Sequence, residues 1–196
     1  MSADSPATPT PAVPLAEALA PAQHKAGLWA DPAQQVYAVV MGQRVAGLPA
    51  RLAAADIADH DCLLPGALTP AEQSRAPYLV ALKAGSGFTD WLLFDAARDF
   101  PDWGVLVRSP ARLMAMRNHL RGLLQAVLPS GQRIALDWMD PPILDAVLPG
   151  FGAAQLTGFF GPVRTFTVAG TATWRHAEAP TGRLVRRDVP LARRSD

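Results

Sequence analysis

Two consecutive prolines behind an aspartate, Asp140-Pro141-Pro142, constrain this chain more tightly than any other local feature. A proline ring holds φ at about −65° and carries no N–H, so it suits the first turn of a helix and damages a helix interior or a central strand. Before the pair, Arg133-Ile134-Ala135-Leu136-Asp137-Trp138 reads as a strand. After it, Ile143, Leu144 and Val147 follow at helical spacing up to Pro149-Gly150. Residues 133–144 therefore predict strand, aspartate, helix, with Asp140 placed to cap the first turn.

The rest of the chain reads around that junction. Gln35-Val36-Tyr37-Ala38-Val39-Val40-Met41 is a β-rich run closed by Gly42 and predicts a buried first strand. Residues 48–58 predict an Ala/Leu-rich helix opened by Pro49, and residues 62–64 a short strand ended by Pro65-Gly66. Thr69-Pro70-Ala71-Glu72 has the form of a capping box. Residues 77–82 and 90–94 are apolar runs on either side of Gly85-Ser86-Gly87, which reads as a hairpin turn. A strand is expected over 103–108, then the longest helix, capped by Ser109-Pro110 and running to about 128 on an apolar stripe that includes Leu113, Met116, Leu120 and Leu124. A short helix over 153–159 and a last strand over 163–168 close the domain. Strands alternating with helices predict an α/β fold: one domain over 31–169, a mixed β-sheet with helices packed on it. Residues 1–30, rich in Ala and Pro, are expected to be a flexible leader, and residues 170–196 a basic, Arg-rich tail.

Composition narrows the function classes. At 49% hydrophobic and 18% charged over 196 residues, the chain is expected to be a soluble globular protein that buries a sizeable core unaided. Its net charge of +1 gives no general attraction to nucleic acid or anionic membrane, and neither is expected as a partner. A single cysteine, Cys62, rules out a disulfide framework. The absence of a charged-then-apolar N-terminal pattern and of a long apolar run predicts a cytoplasmic location.

Candidate chemistry is sparse. Asp59-His60-Asp61-Cys62 concentrates possible ligands, but neighbours along an extended segment face opposite ways, so no metal is expected there. Ser86 lacks the flanking pattern of a nucleophile elbow, and Gly150-Phe151-Gly152 does not follow a strand, so no phosphate loop and no cofactor are expected. As a general acid or base, Asp140 would need a partner carboxylate or histidine close by, and the sequence offers only Asp137 beside it. The set Asp137, Asp140 and His119 defines an alternative reading as a small hydrolase. The cap explains Asp140 without any catalysis.

A longer series carries more information than any one of its parts. It runs Tyr37-Ala38-Val39-Val40-Met41-Gly42, Ala76-Pro77-Tyr78-Leu79-Val80-Ala81-Leu82, Trp91-Leu92-Leu93, Gly104-Val105-Leu106-Val107-Arg108-Ser109, His119-Leu120-Arg121, Leu136-Asp137-Trp138-Met139-Asp140-Pro141 and Phe159-Phe160-Gly161-Pro162. In order and spacing this series resembles the type VI secretion effector adaptor chaperones, a family catalogued as a domain of unknown function, over roughly residues 35–168. The resemblance implies a non-enzymatic bacterial protein that binds one toxic effector and helps load it onto the VgrG spike. The late motif of that family has an arginine, two aromatics and Asp-Pro-Arg. Here Asp137 stands for the first arginine, Met139 for an aromatic and Pro142 for the last arginine, which removes the local partner of an ion pair with Asp140 and leaves the cap. An adaptor needs apolar anchors and a charged rim. Trp103, Trp138, Phe159 and Phe160 are the candidate anchors, with core packing equally open to each, and Arg117 and Arg121 are the candidate rim charges.

Overall fold

Every position of strand β1 (Gln35–Met41) after the first is buried, on both parities of the strand. Successive side chains of a strand point to opposite faces, so such a strand lies in a sheet covered on both sides. A computed structural model describes residues 18–128 and 130–192 and has this arrangement. β1 pairs on one side with β3 (Pro77–Ala81) and on the other with β4 (Gly104–Ser109). With β2 (Asp59–Cys62), β7 (Thr165–Ala169), β8 (Thr173–Glu178) and β9 (Val185–Pro190) they form a seven-stranded sheet in the order β2-β3-β1-β4-β7-β8-β9. The α/β class with helices packed on a sheet is as expected. The sheet differs from the expected mixed one in that every neighbouring pair is antiparallel. A separate ribbon pairs β5 (Gln125–Val127) with β6 (Arg133–Ala135).

The two faces of β1 sort the helices into two layers. Tyr37, Val39 and Met41 pack in a core with residues of α6 (Leu113–Gly122), α7 (Pro141–Val147) and α8 (Ala153–Phe160). Val36, Ala38 and Val40 pack in a second core, against α1 (Pro21–Leu28), α2 (Leu48–Ala54), α4 (Gly87–Phe94) and α5 (Ala96–Asp99). α3 (Pro70–Arg75) buries none of its own side chains and lies by the β2–β3 side of the sheet. No helix among the described residues is long and apolar enough to cross a membrane.

Four expectations change. The apolar run 90–94 is not a strand but the body of α4, because Ser86 is not a hairpin turn: its Oγ accepts from Phe88 N at 3.1 Å and caps the helix. The long helix starts later and stops earlier than expected. Ser109 Oγ donates to Pro162 O at 2.8 Å, and the apolar spacing beyond Gly122 turns into β5. The flexible leader expected over 1–30 contains α1, whose His24 and Leu28 are buried; residues 1–17 lie outside the described residues. The tail expected from 170 contains β8 and β9, with Trp174 fully buried, and only 193–196 fall outside the described residues. Two of the arginines that suggested a loose tail are fixed instead. Arg175 and Arg186 both pair with Asp145 of α7, at 2.9 and 2.8 Å.

Candidate functional site

The junction before Asp140-Pro141-Pro142 lies beside a groove. The end of β1, α3 and the segment before α7 enclose a cleft of about 390 Å³. α3 is held at one wall by the capping box: Glu72 N donates to Thr69 Oγ1 at 3.3 Å, and Thr69 N donates back to Glu72 Oε2 at 2.8 Å. Its C-terminal end docks on Gly42. Gly42 N donates to Ala76 O at 2.9 Å and Gln43 N to Arg75 O at 3.1 Å. A Cβ at position 42 would stand 2.5 Å from Ser74 O, so only glycine permits this approach. The groove has a floor of Met41, Ala76 and Met139, with Leu64 and Leu124 half-buried beside it. Gln43, Glu72, Arg75 and Asp137 form an exposed polar rim.

Asp140 holds the N-cap position of α7, but its side chain makes no cap bond. The double proline contributes to this. The cap acceptor serves the N–H of the second or third helical residue, and Pro142 removes the first of these donors. The carboxylate turns instead to Arg44 at 2.9 Å, with Asp140 only 14% exposed, while its second oxygen is buried without a partner. The expected side-chain cap is thus absent, and an ion pair forms although the local arginine is missing. The guanidinium arrives from far along the chain rather than from the residue after Pro141.

The candidate anchors are not at the surface. Trp103, Trp138, Phe159 and Phe160 are all 4% exposed or less. Trp138 meets Phe159 and Phe166 edge-on, at centroid distances of 6.2 and 5.7 Å, inside the core beneath α8. Trp103 belongs to the opposite core. The candidate rim arginines are engaged within the chain. Arg117 pairs with Asp61 at 2.6 Å. Arg121 donates to the carbonyls of Cys62, Leu63 and Leu64 at 2.8, 3.0 and 3.2 Å. Together they clamp α6 to edge strand β2 and its exit.

The hydrolase set does not converge. His119 donates from Nε2 to Phe159 O at 3.0 Å, and its ring fills the space over Gly161, where a Cβ would stand 2.5 Å from it. Burial lowers the His119 pKa, so the ring is neutral. Asp137 lines the groove and Asp140 binds Arg44. Among the described residues, no hydrogen bond or ion pair joins any two of these three side chains. Cys62 is half-buried with its thiol pKa raised by burial, which keeps it protonated and unreactive. No group of three or more His, Cys, Asp or Glu among the described residues could hold a metal ion.

Asp137 and Met139 stand in the late sequence motif, which carries no sign of the groove. Gln43, Leu64, Glu72 and Arg75 meet them only through the fold, and the one local signal was the capping box of α3. No curated protein and no solved structure matches the chain. The family model described as domain of unknown function, DUF4123, matches residues 36–158, from β1 into α8. The match covers more than half of the 196 residues, and the chain belongs to this family.

Proposed function

We propose that this protein is an adaptor chaperone that binds a toxic effector of type VI secretion in the bacterial cytoplasm and helps load it onto the VgrG spike. The observation that carries the reading is the family match over residues 36–158, since this family is associated with effector adaptors of that system. The groove beside α3 is the surface we assign to the effector. Its half-buried Leu64 and Leu124 supply apolar contact, and the mixed charges of Glu72, Arg75 and Asp137 supply register. Binding through the groove replaces the earlier assignment to Trp103, Trp138, Phe159 and Phe160, which are core residues.

Co-expression with the effector encoded beside this gene, followed by pull-down and a secretion assay, tests the role. Retention of that effector and loss of its secretion on deletion are expected. If wild-type protein retains no neighbouring effector and secretion is unchanged, the adaptor reading falls. The double variant Arg75→Glu, Asp137→Arg changes only exposed rim positions and tests the site. It should fold normally and release the effector, whereas undiminished binding would move the interface elsewhere on the molecule.

A further inference from the structure

On the face of the sheet that α1 covers, the apolar floor gives way to polar rows set by strand register. Thr167 of β7 stands opposite His176 of β8, which stands opposite Arg187 of β9. Arg108 of β4 stands opposite Thr165 of β7 in the next row. Thr165 and Thr167 are at most 2% exposed, so this is a buried polar floor and not a solvated edge. α1 walls it, with His24 donating from Nε2 to Pro190 O at 3.2 Å and its ring 4.7 Å from Trp174. Between wall and floor lies a cleft of about 240 Å³, lined by His24, Arg108, His176 and Arg187 together with apolar Leu28 and Val189.

The positive groups here are incompletely neutralised. Arg108 donates to Thr165 Oγ1 at 3.0 Å, and the nearest acid, Glu178, is 3.9 Å away and accepts from that same threonine. The Arg187 side chain has no hydrogen bond or ion pair among the described residues. His176 uses Nδ1 with Thr167 Oγ1 at 2.8 Å, and its other ring nitrogen has no partner among the described residues. Two guanidinium groups and an open ring nitrogen in a partly apolar cleft are the donor set that planar or tetrahedral oxyanions require.

We propose that this cleft is an oxyanion site, which takes a carboxylate or a phosphate group between Arg108 and Arg187 with the His176 ring as a further donor. Charge at the ring supports the assignment. Burial, then Arg187, His24 and Arg108, lower the His176 pKa to about 4 against the opposing pull of Glu178, so the empty cleft holds a neutral ring. An anion adds the opposite charge and raises that pKa. The occupied form then binds more protons than the empty form, so affinity rises as pH falls for as long as the ligand stays ionised.

NMR titration of the full chain, following the histidine ring signals, tests the proposal with two probes, inorganic phosphate and N-acetylglutamate amide, and with chloride as the ionic control. A saturable shift of the His176 and His24 signals by either probe, absent with chloride, is expected. The tighter of the two probes identifies the source as phosphate or carboxylate. Arg187→Gln, at an exposed position, should weaken that binding by about tenfold or more, the loss of one charge-assisted contact. Arg108→Gln should do the same, and if that variant fails to fold, Arg187→Gln decides alone. Shifts equal to those of chloride, or saturable binding that Arg187→Gln leaves unchanged, would overturn the site.

Discussion

Asp140 and Arg44 are 96 positions apart, yet each determines what the other does. Removing Arg44 leaves a carboxylate that is 14% exposed, with one oxygen already buried and unpartnered. Arg44→Ala is therefore expected to destabilise by about 1–2 kcal/mol, more than the median exposed pair. Asp140→Asn should destabilise by a similar amount, and the double variant by little more than either single change. Urea unfolding of the three variants measures this, and simple additivity would mean that the pair contributes nothing. His176 carries a second prediction at this scale. Its folded pKa of about 4 lies below the ordinary histidine value of 6.5, so the unfolded chain takes up the proton first as pH falls. Its contribution to stability is present above 6.5, is lost between 6.5 and about 4, and changes no further below that. His24 and His119 are shifted in the same direction by burial. Denaturation at pH 7, 5.5 and 4.5 should therefore show a shallower acid loss in His176→Gln than in wild type, and equal slopes would remove His176 from the account.

At the scale of elements, what could be read from sequence was what local chemistry alone determines. β1, the capping box of α3 and the double proline opening α7 are each fixed by residues adjacent in the chain. Readings failed where a distant partner decides. The apolar stripe of α6 continues past Gly122 at helical spacing, but Gln125–Val127 finds β6 and leaves the helix. β8 and β9 look like a basic tail until Asp145 is brought beside Arg175 and Arg186. The four aromatics proposed as anchors carried no local sign of whether they face a partner or the core. The groove was illegible for the same reason, because its lining comes from stretches far apart in the chain, between Met41 and Met139. Arg121 shows how such distant contacts hold elements together, since one guanidinium serves three successive carbonyls at the exit of β2. Arg121→Lys keeps the charge but cannot reach all three, and about 2 kcal/mol should be lost. Hydrogen exchange should quicken in residues 59–64 and leave β4 and β7 unchanged. Uniform quickening across the sheet would mean that the clamp is not local.

The whole molecule is completed by strands that lie beyond the family match. The match ends at residue 158, inside α8, yet β7, β8 and β9 supply three of the seven strands, and β7 seals the edge of β4. β8 places Trp174 at 0% exposure in the core that α1 and α4 also line, where it meets His24 and Phe94. Truncating such a tryptophan alone typically destabilises by about 3–5 kcal/mol, against a total of about 5–15 kcal/mol for a domain of this kind. A chain stopped at Gly170 would also lose the Asp145 pairs that tie α7 to the hairpin, and would leave β7 as a raw edge open to pairing with other chains. It is therefore expected to aggregate or to melt without a cooperative transition. A chain stopped at Ala192 keeps both strands and the Leu19 bridge to Leu191, and should melt like the full protein. Circular dichroism melts with size-exclusion chromatography on both chains distinguish the cases. If the chain ending at Gly170 melts cooperatively as a monomer, β8 and β9 are an appendage to the fold and not part of its foundation.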